Sequence, residues 1–128
     1  MPTNLYISHS TIPNAGRGVF AGRNYKKGEL IEECPMIVFC EQSVTLIDQT
    51  ELARYYYEWG KDHKKGAIAL GLVSIYNHSH KSNARFDQDF THDVIQITAH
   101  TTIHKGEEIT TNYNGDPMDD TPLWEGAL

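Results

Sequence analysis

The chain has 128 residues, 39% of them hydrophobic and 22% charged, with eleven basic against seventeen acidic side chains and a formal charge of −6. That length gives room for one domain, and the composition is globular rather than disordered. The acidic balance argues against direct nucleic-acid binding, which draws on a positive surface to release counterions, and it suits a basic, Lys-containing protein or peptide partner.

In chain order, the first predicted element is a strand at Arg17 to Ala21 (RGVFA), entered through Gly16. Lys26-Lys27-Gly28-Glu29 is a polar turn built on a φ-permissive glycine. Leu30 to Cys40 predicts one or two strands, broken near Pro35, which has no N–H for a central ladder. Asp48 followed by Glu51 has the form of a capping box, and Leu52, Tyr55, Tyr56 and Trp59 recur at i, i+3, i+4 and i+7, so a helix is expected there with Gly60 as its stop. Ala67 to Tyr76 is an apolar run without a decisive period, buried as either helix or strand. Val94 to Thr98 alternates with period two and predicts a half-buried strand. His104-Lys105-Gly106-Glu107 repeats the earlier turn chemistry and leads into a strand over Ile109 to Tyr113. The sum is a mainly β domain of short strands with one or two short helices.

No apolar stretch approaches the roughly 18 residues of a membrane span, and Met1-Pro2-Thr3-Asn4 has neither the basic start nor the apolar run of a signal peptide. Cys34 and Cys40 lie in one apolar stretch without framework spacing, so reduced thiols in a cytoplasmic protein are expected. His78 and His80 are two apart with no Cys-x-x-Cys or His-x-x-x-His pair, so no metal site is predicted.

Three segments carry candidate chemistry. Gly16-Arg17-Gly18 offers backbone N–H and C=O groups at close range to a ligand. It is not a dinucleotide fingerprint, since no G-x-G-x-x-G follows a strand. Asn77-His78-Ser79 follows the buried run, where it either turns the chain or fixes a polar ligand at the edge of the core. Gly106 to Asn112 leads to Tyr113, a strand-end tyrosine with its body in the core and its hydroxyl in water.

In this order, GRGVF, then NHS with Asn83, then GEEITTNY, the set resembles the SET domain family of protein lysine methyltransferases. The resemblance covers about residues 10 to 116, leaving 117 to 128 as a tail, and its spacing is similar to that of the minimal stand-alone viral and bacterial members. It implies a β-clip-like fold of small sheets with a C-terminal pseudo-knot, and S-adenosylmethionine as cofactor without a metal. Carried over by motif, Gly16, Arg17, Gly18, Asn77 and His78 would contact the cofactor. Tyr113 would sit where the methyl group moves, and Tyr55 would help it act on the lysine. Tyr55, Tyr76 and Trp124 would line the substrate channel. By similarity a homodimer is expected, with a nuclear location if the host is eukaryotic or the protein viral. Ser74 and His80 stand where relatives often carry arginine and cysteine, and no cysteine follows Cys40 to build the zinc segment of many eukaryotic members. The tail with Trp124 is therefore expected to close the channel. The alternatives are a catalytically silent SET module that binds cofactor or peptide, and a structural β domain.

Overall fold

A computed structural model describes residues 4–123. Among them nine strands form two sheets. The strands are β1 (Leu5–His9), β2 (Arg17–Ala21), β3 (Leu30–Phe39), β4 (Tyr56–Trp59), β5 (Lys65–Ala69), β6 (Asn77–His78), β7 (Ala84–Asp89), β8 (Val94–Ala99) and β9 (Glu108–Thr111). One helix, α1, spans Glu41–Ile47, and short 3-10 turns occupy Glu51–Arg54 and Val73–Ile75. The first sheet has the order β1-β2-β9-β6 and the second β4-β5-β3-β8-β7. Every pairing is antiparallel except β6 with β9.

The predicted alternation of β8 is met: Ile95, Ile97 and Ala99 are buried while Val94, Gln96 and Thr98 are half-buried. These side chains meet Val19, Ala21 and Ile109 of the first sheet, with Trp59 and Ala67 of the second, in one core. Each fully buried isoleucine contributes about 1.5–3 kcal/mol by leaving water.

The two glycine turns are structural counterparts. Tyr25 and Ile103 exchange backbone hydrogen bonds of 2.8 and 2.9 Å at a single bridge. On one side Gly28 donates to the Ala99 carbonyl, and on the other Gly106 donates to that of Ala21, both at 2.8 Å. Both glycines have positive φ, 86° and 91°, a backbone conformation costly for other residues. Glu29 accepts from the Lys26 N–H and Glu107 from the His104 N–H, closing each turn the same way. This pair of turns returns the chain into β3 and β9.

Two expectations are corrected. The helix predicted from Asp48 to Trp59 is absent: Asp48 caps the C-terminus of α1, and Tyr56–Trp59 is strand β4 paired along β5. Aromatic side chains favour a pleated, half-buried surface, and the pairing with β5 overrides a helical spacing that left Leu52 and Tyr55 exposed. The true helix begins about two turns earlier and buries none of its residues, so it carried no apolar periodicity to detect. β3 runs unbroken through Pro35, but it changes partner there, pairing with β8 up to Pro35 and with β5 from Met36. The missing proline N–H falls where the ladder would have switched anyway. The apolar run Ala67 to Tyr76 is part strand and part 3-10 turn, which explains its lack of a single period.

Candidate active site

The sheet order β1-β2-β9-β6 makes neighbours of three segments far apart in sequence: GRGVF runs into β2, GEEIT runs into β9, and Asn77-His78 is β6. β9 lies between the other two, antiparallel to β2 and parallel to β6. Asn83 fastens it from the side, accepting the Thr110 N–H and donating to the Glu108 carbonyl, both at 2.9 Å. Its amide thus replaces a ladder partner for β9.

β2 pairs with β9 only at Val19 and Phe20, so Gly16-Arg17-Gly18 runs past the end of that ladder. Gly16 turns into the strand with φ 74°. The Asn77 amide donates to the Arg17 carbonyl and to Glu108 Oε2, both at 2.9 Å. A Cβ on Gly18 would collide with the Glu108 carboxylate and come 3.1 Å from Asn77 Nδ2. That carboxylate also accepts from the Ser10 and Thr11 hydroxyls and the Thr11 N–H, each at 2.9 Å. Burial works to raise the Glu108 pKa, but these donors outweigh it and hold the group below the usual carboxylate value.

At the far end of β9, His78 Nδ1 accepts the Tyr113 N–H at 3.0 Å. The ring proton therefore sits on Nε2, which is buried and has no partner among the described residues. Burial, and secondarily His80, lower the His78 pKa, so the ring is neutral at pH 7. The Tyr113 ring lies 5.1 Å from that of His78, and its hydroxyl donates to the Tyr76 carbonyl at 2.8 Å. Burial raises the Tyr113 pKa above the ordinary phenol value.

The remaining predicted residues are distributed unevenly. Tyr76 contributes its carbonyl to Tyr113, but its own ring is buried in the core with the hydroxyl donating to Glu32 Oε1 at 2.9 Å. Tyr55 is 58% exposed at the end of a 3-10 turn, whereas Tyr57 turns inward and donates to the Val73 carbonyl at 3.3 Å. Burial, with smaller contributions that include Tyr113, pushes the Tyr57 pKa up to about 12. Period-two reading of β4 would have found it, because Tyr57 and Trp59 share the inner face. Arg17 is exposed and forms no ion pair among the described residues. Trp124 lies outside the described residues. The segment before it folds back, its Asp119 and Thr121 carbonyls accepting from the Asn112 and Asn114 amides at 2.7 Å, with His80 Nε2 3.1 Å from the Thr121 carbonyl. Ser10, Thr11 and Glu32 carried no sequence signal, since their bonds span long loops. Among the described residues no group of three or more His, Cys, Asp or Glu is arranged to hold a metal ion, and no helix is long and apolar enough to cross a membrane.

Comparison with known proteins resolves the family, since the family model described as the SET domain matches residues 16–114. The chain belongs to the SET domain family. As a SET domain it is 31% identical over 99 residues to a curated Schizosaccharomyces pombe protein, a histone-lysine N-methyltransferase specific for H3 lysine-37. The match takes in 77% of the SET chain and 66% of that relative, so the chain spans about two thirds of its length. A solved Plasmodium falciparum structure, of a candidate histone methyltransferase, superposes with TM-score 0.67 at 29% identity, covering 88% of this chain and 95% of the other. A chain of the Chaetomium thermophilum Polycomb repressive complex 2, in a structure bound to S-adenosylmethionine, superposes with TM-score 0.73 at 18% identity. It covers 88% of this chain and 15% of that one, and at that identity the likeness is one of fold. The mainly β architecture in several sheets is thus that of the SET fold.

Proposed function

We propose that this SET domain is a protein-lysine N-methyltransferase that uses S-adenosylmethionine to methylate a lysine of a basic protein, a histone first among them. The observation that carries the reading is the meeting of β2, β9 and β6 in one sheet, with the Tyr113 hydroxyl held at the end of that junction. The curated relative's histone specificity and the formal charge of −6 support the choice of substrate class. A nuclear or cytoplasmic site of action goes with it.

The residues fit the cofactor. Gly16-Arg17-Gly18 presents backbone groups beyond the β2–β9 ladder, and the exposed Arg17 guanidinium suits the carboxylate of an amino acid. The buried His78 Nε2–H is a donor without a protein acceptor among the described residues. Gly16, Arg17, Gly18, Asn77 and His78 would hold the group. When bound, S-adenosylmethionine supplies an already activated sulfonium methyl, so no protein nucleophile is required.

The protein's own task is then to orient a neutral amine. Lysine arrives with a pKa of about 10.4 and must lose its proton before it can attack. A narrow site with apolar walls disfavours the ammonium form. Tyr113, its pKa raised by burial, stays protonated at neutral pH and is no base. Its proton is committed to the Tyr76 carbonyl, which leaves the oxygen lone pairs to accept from the substrate amine. Tyr57, likewise protonated, is a better wall for the lysine than exposed Tyr55. Water takes the substrate proton. Aromatic faces of Tyr113 and Tyr57 tolerate the partly cationic methylated product.

Mass spectrometry of core histones incubated with the protein and S-adenosylmethionine tests the reading. Methylation on lysine is the expected result. Unmodified histones and lysate proteins, with cofactor bound in calorimetry, would favour the silent binding module.

A further inference from the structure

Glu32 places a carboxylate where an aliphatic side chain would ordinarily go. It lies on β3 opposite Ile97, two residues before buried Cys34, on the side of the sheet that faces the core. A bulge between Leu30 and Glu32 lets both Ile31 and Glu32 turn inward. A carboxylate there costs free energy unless its oxygens are bonded, and both are. Oε1 accepts the Tyr76 hydroxyl at 2.9 Å, and Oε2 accepts the Leu72 N–H at 2.8 Å. Gly71, the preceding residue, leaves room for the carboxylate in this position, which a Cβ there would displace.

The two bonds grip the two ends of one short segment, Leu72 to Tyr76. Inside it the turn is closed by the Ile75 N–H donating to the Leu72 carbonyl at 2.8 Å. The carbonyls of Val73 and Tyr76, from this same segment, receive the hydroxyl protons of Tyr57 and Tyr113. The segment is thus a plate that aims both tyrosine oxygens, and Glu32, anchored on the central strand of the five-stranded sheet, is what fixes it. From this geometry we propose that Glu32 is a positioning residue for methyl transfer, acting through the Leu72–Tyr76 segment on the hydroxyls of Tyr113 and Tyr57. The inference rests on the methyltransferase reading above. The negative charge also helps keep both Tyr57 and Tyr76 protonated, in addition to the larger effect of burial.

Glu32→Gln keeps the shape of the side chain but sets an N–H₂ against one of its two donors. It is expected to lower kcat about tenfold, with the KM for a lysine peptide and the cofactor Kd within about twofold of wild type. Tyr76→Phe removes one of the two grips and should act in the same direction, more weakly. In a Tyr113→Phe background the Glu32→Gln loss should largely vanish, because the group it aims is gone. Full additivity would mean that Glu32 serves stability alone and would overturn the proposal. A second readout needs no turnover: with isotope-labelled tyrosine, the ring resonances of Tyr113 and Tyr57 should move in both Glu32→Gln and Tyr76→Phe. Unmoved resonances in folded variants would sink the positioning role whether or not the wild type is active. Wild-type protein that methylates no lysine, with the resonances moving, would instead count against the enzyme reading and leave the coupling intact.

Discussion

The imidazole of His78 accepts the backbone N–H of Tyr113 at 3.0 Å, so the ends of two neighbouring parallel strands are held by a side chain rather than a ladder bond. The bond requires an unprotonated Nδ1. Burial and His80 lower the pKa of this ring below the ordinary histidine value. A group whose folded pKa is depressed supports the fold fully above its unfolded pKa and loses that support as the pH falls through the folded one. The window therefore opens below about pH 6.5. A ring titration followed by nuclear magnetic resonance should give a midpoint below that value for His78. A midpoint at or above it would mean the hydrogen bond is not maintained in solution.

Gly18→Ala is expected to weaken cofactor binding about tenfold and to destabilise the protein by ~1–3 kcal/mol, as overpacking does. The new methyl must displace the Glu108 carboxylate or the Asn77 amide, and with them the Arg17 carbonyl contact. Calorimetric titration with S-adenosylmethionine and urea unfolding measure the two effects separately. Gly16, whose Cβ position is open space, should respond only through its positive φ.

Glu108 gathers Ser10, Thr11 and Asn77 on one carboxylate held in its charged form. Its contribution should be complete above the unfolded carboxyl pKa of about 4.3 and fade as the pH falls below it. Glu108→Gln should lower Tm at pH 7, and the difference from wild type should shrink on acidification to about pH 3. A difference independent of pH would show that shape, not charge, holds residues 10 and 11.

Residues 119 to 121 fold back onto Asn112, Asn114 and His80, beside the end of β6. Truncation after Asp116 is therefore expected to cut methyl transfer at least tenfold in a protein that still folds, as removal of one group of the binding site does. Circular dichroism with turnover checks both halves of that statement. Full activity in the truncated protein would remove the tail from the site.

The strands at Arg17, Val94 and Ile109 were legible because alternation and β-branched residues report burial on one face directly. The helix misplaced over Asp48 to Trp59 shows the opposite case. Of four apolar residues at helical spacing, Tyr56 and Trp59 were recruited by pairing with β5, and the real helix buries none of its residues. Of the candidate site, the motif residues Gly16, Gly18, Asn77, His78 and Tyr113 were legible as short patterns, and the neighbouring strands β2, β9 and β6 bring the segments that carry them side by side. Glu32 and Ser10 were not, because their importance lies in bonds spanning 40 and 98 residues that no local pattern records. Tyr57 was hidden within Tyr55-Tyr56-Tyr57, where only the register of β4 distinguishes the inward ring.

The most direct test of the account is transfer of radiolabelled methyl from S-adenosylmethionine to core histones by wild type and Tyr113→Phe in parallel. Losing one hydroxyl that orients the reacting amine should lower turnover at least tenfold, about 1.4 kcal/mol, while the fold survives. Label on histone lysine with wild type, and that loss in the variant, is the predicted result. Equal rates for the two proteins would contradict the role given to Tyr113, and no label from a wild type that binds the cofactor would contradict the enzyme itself.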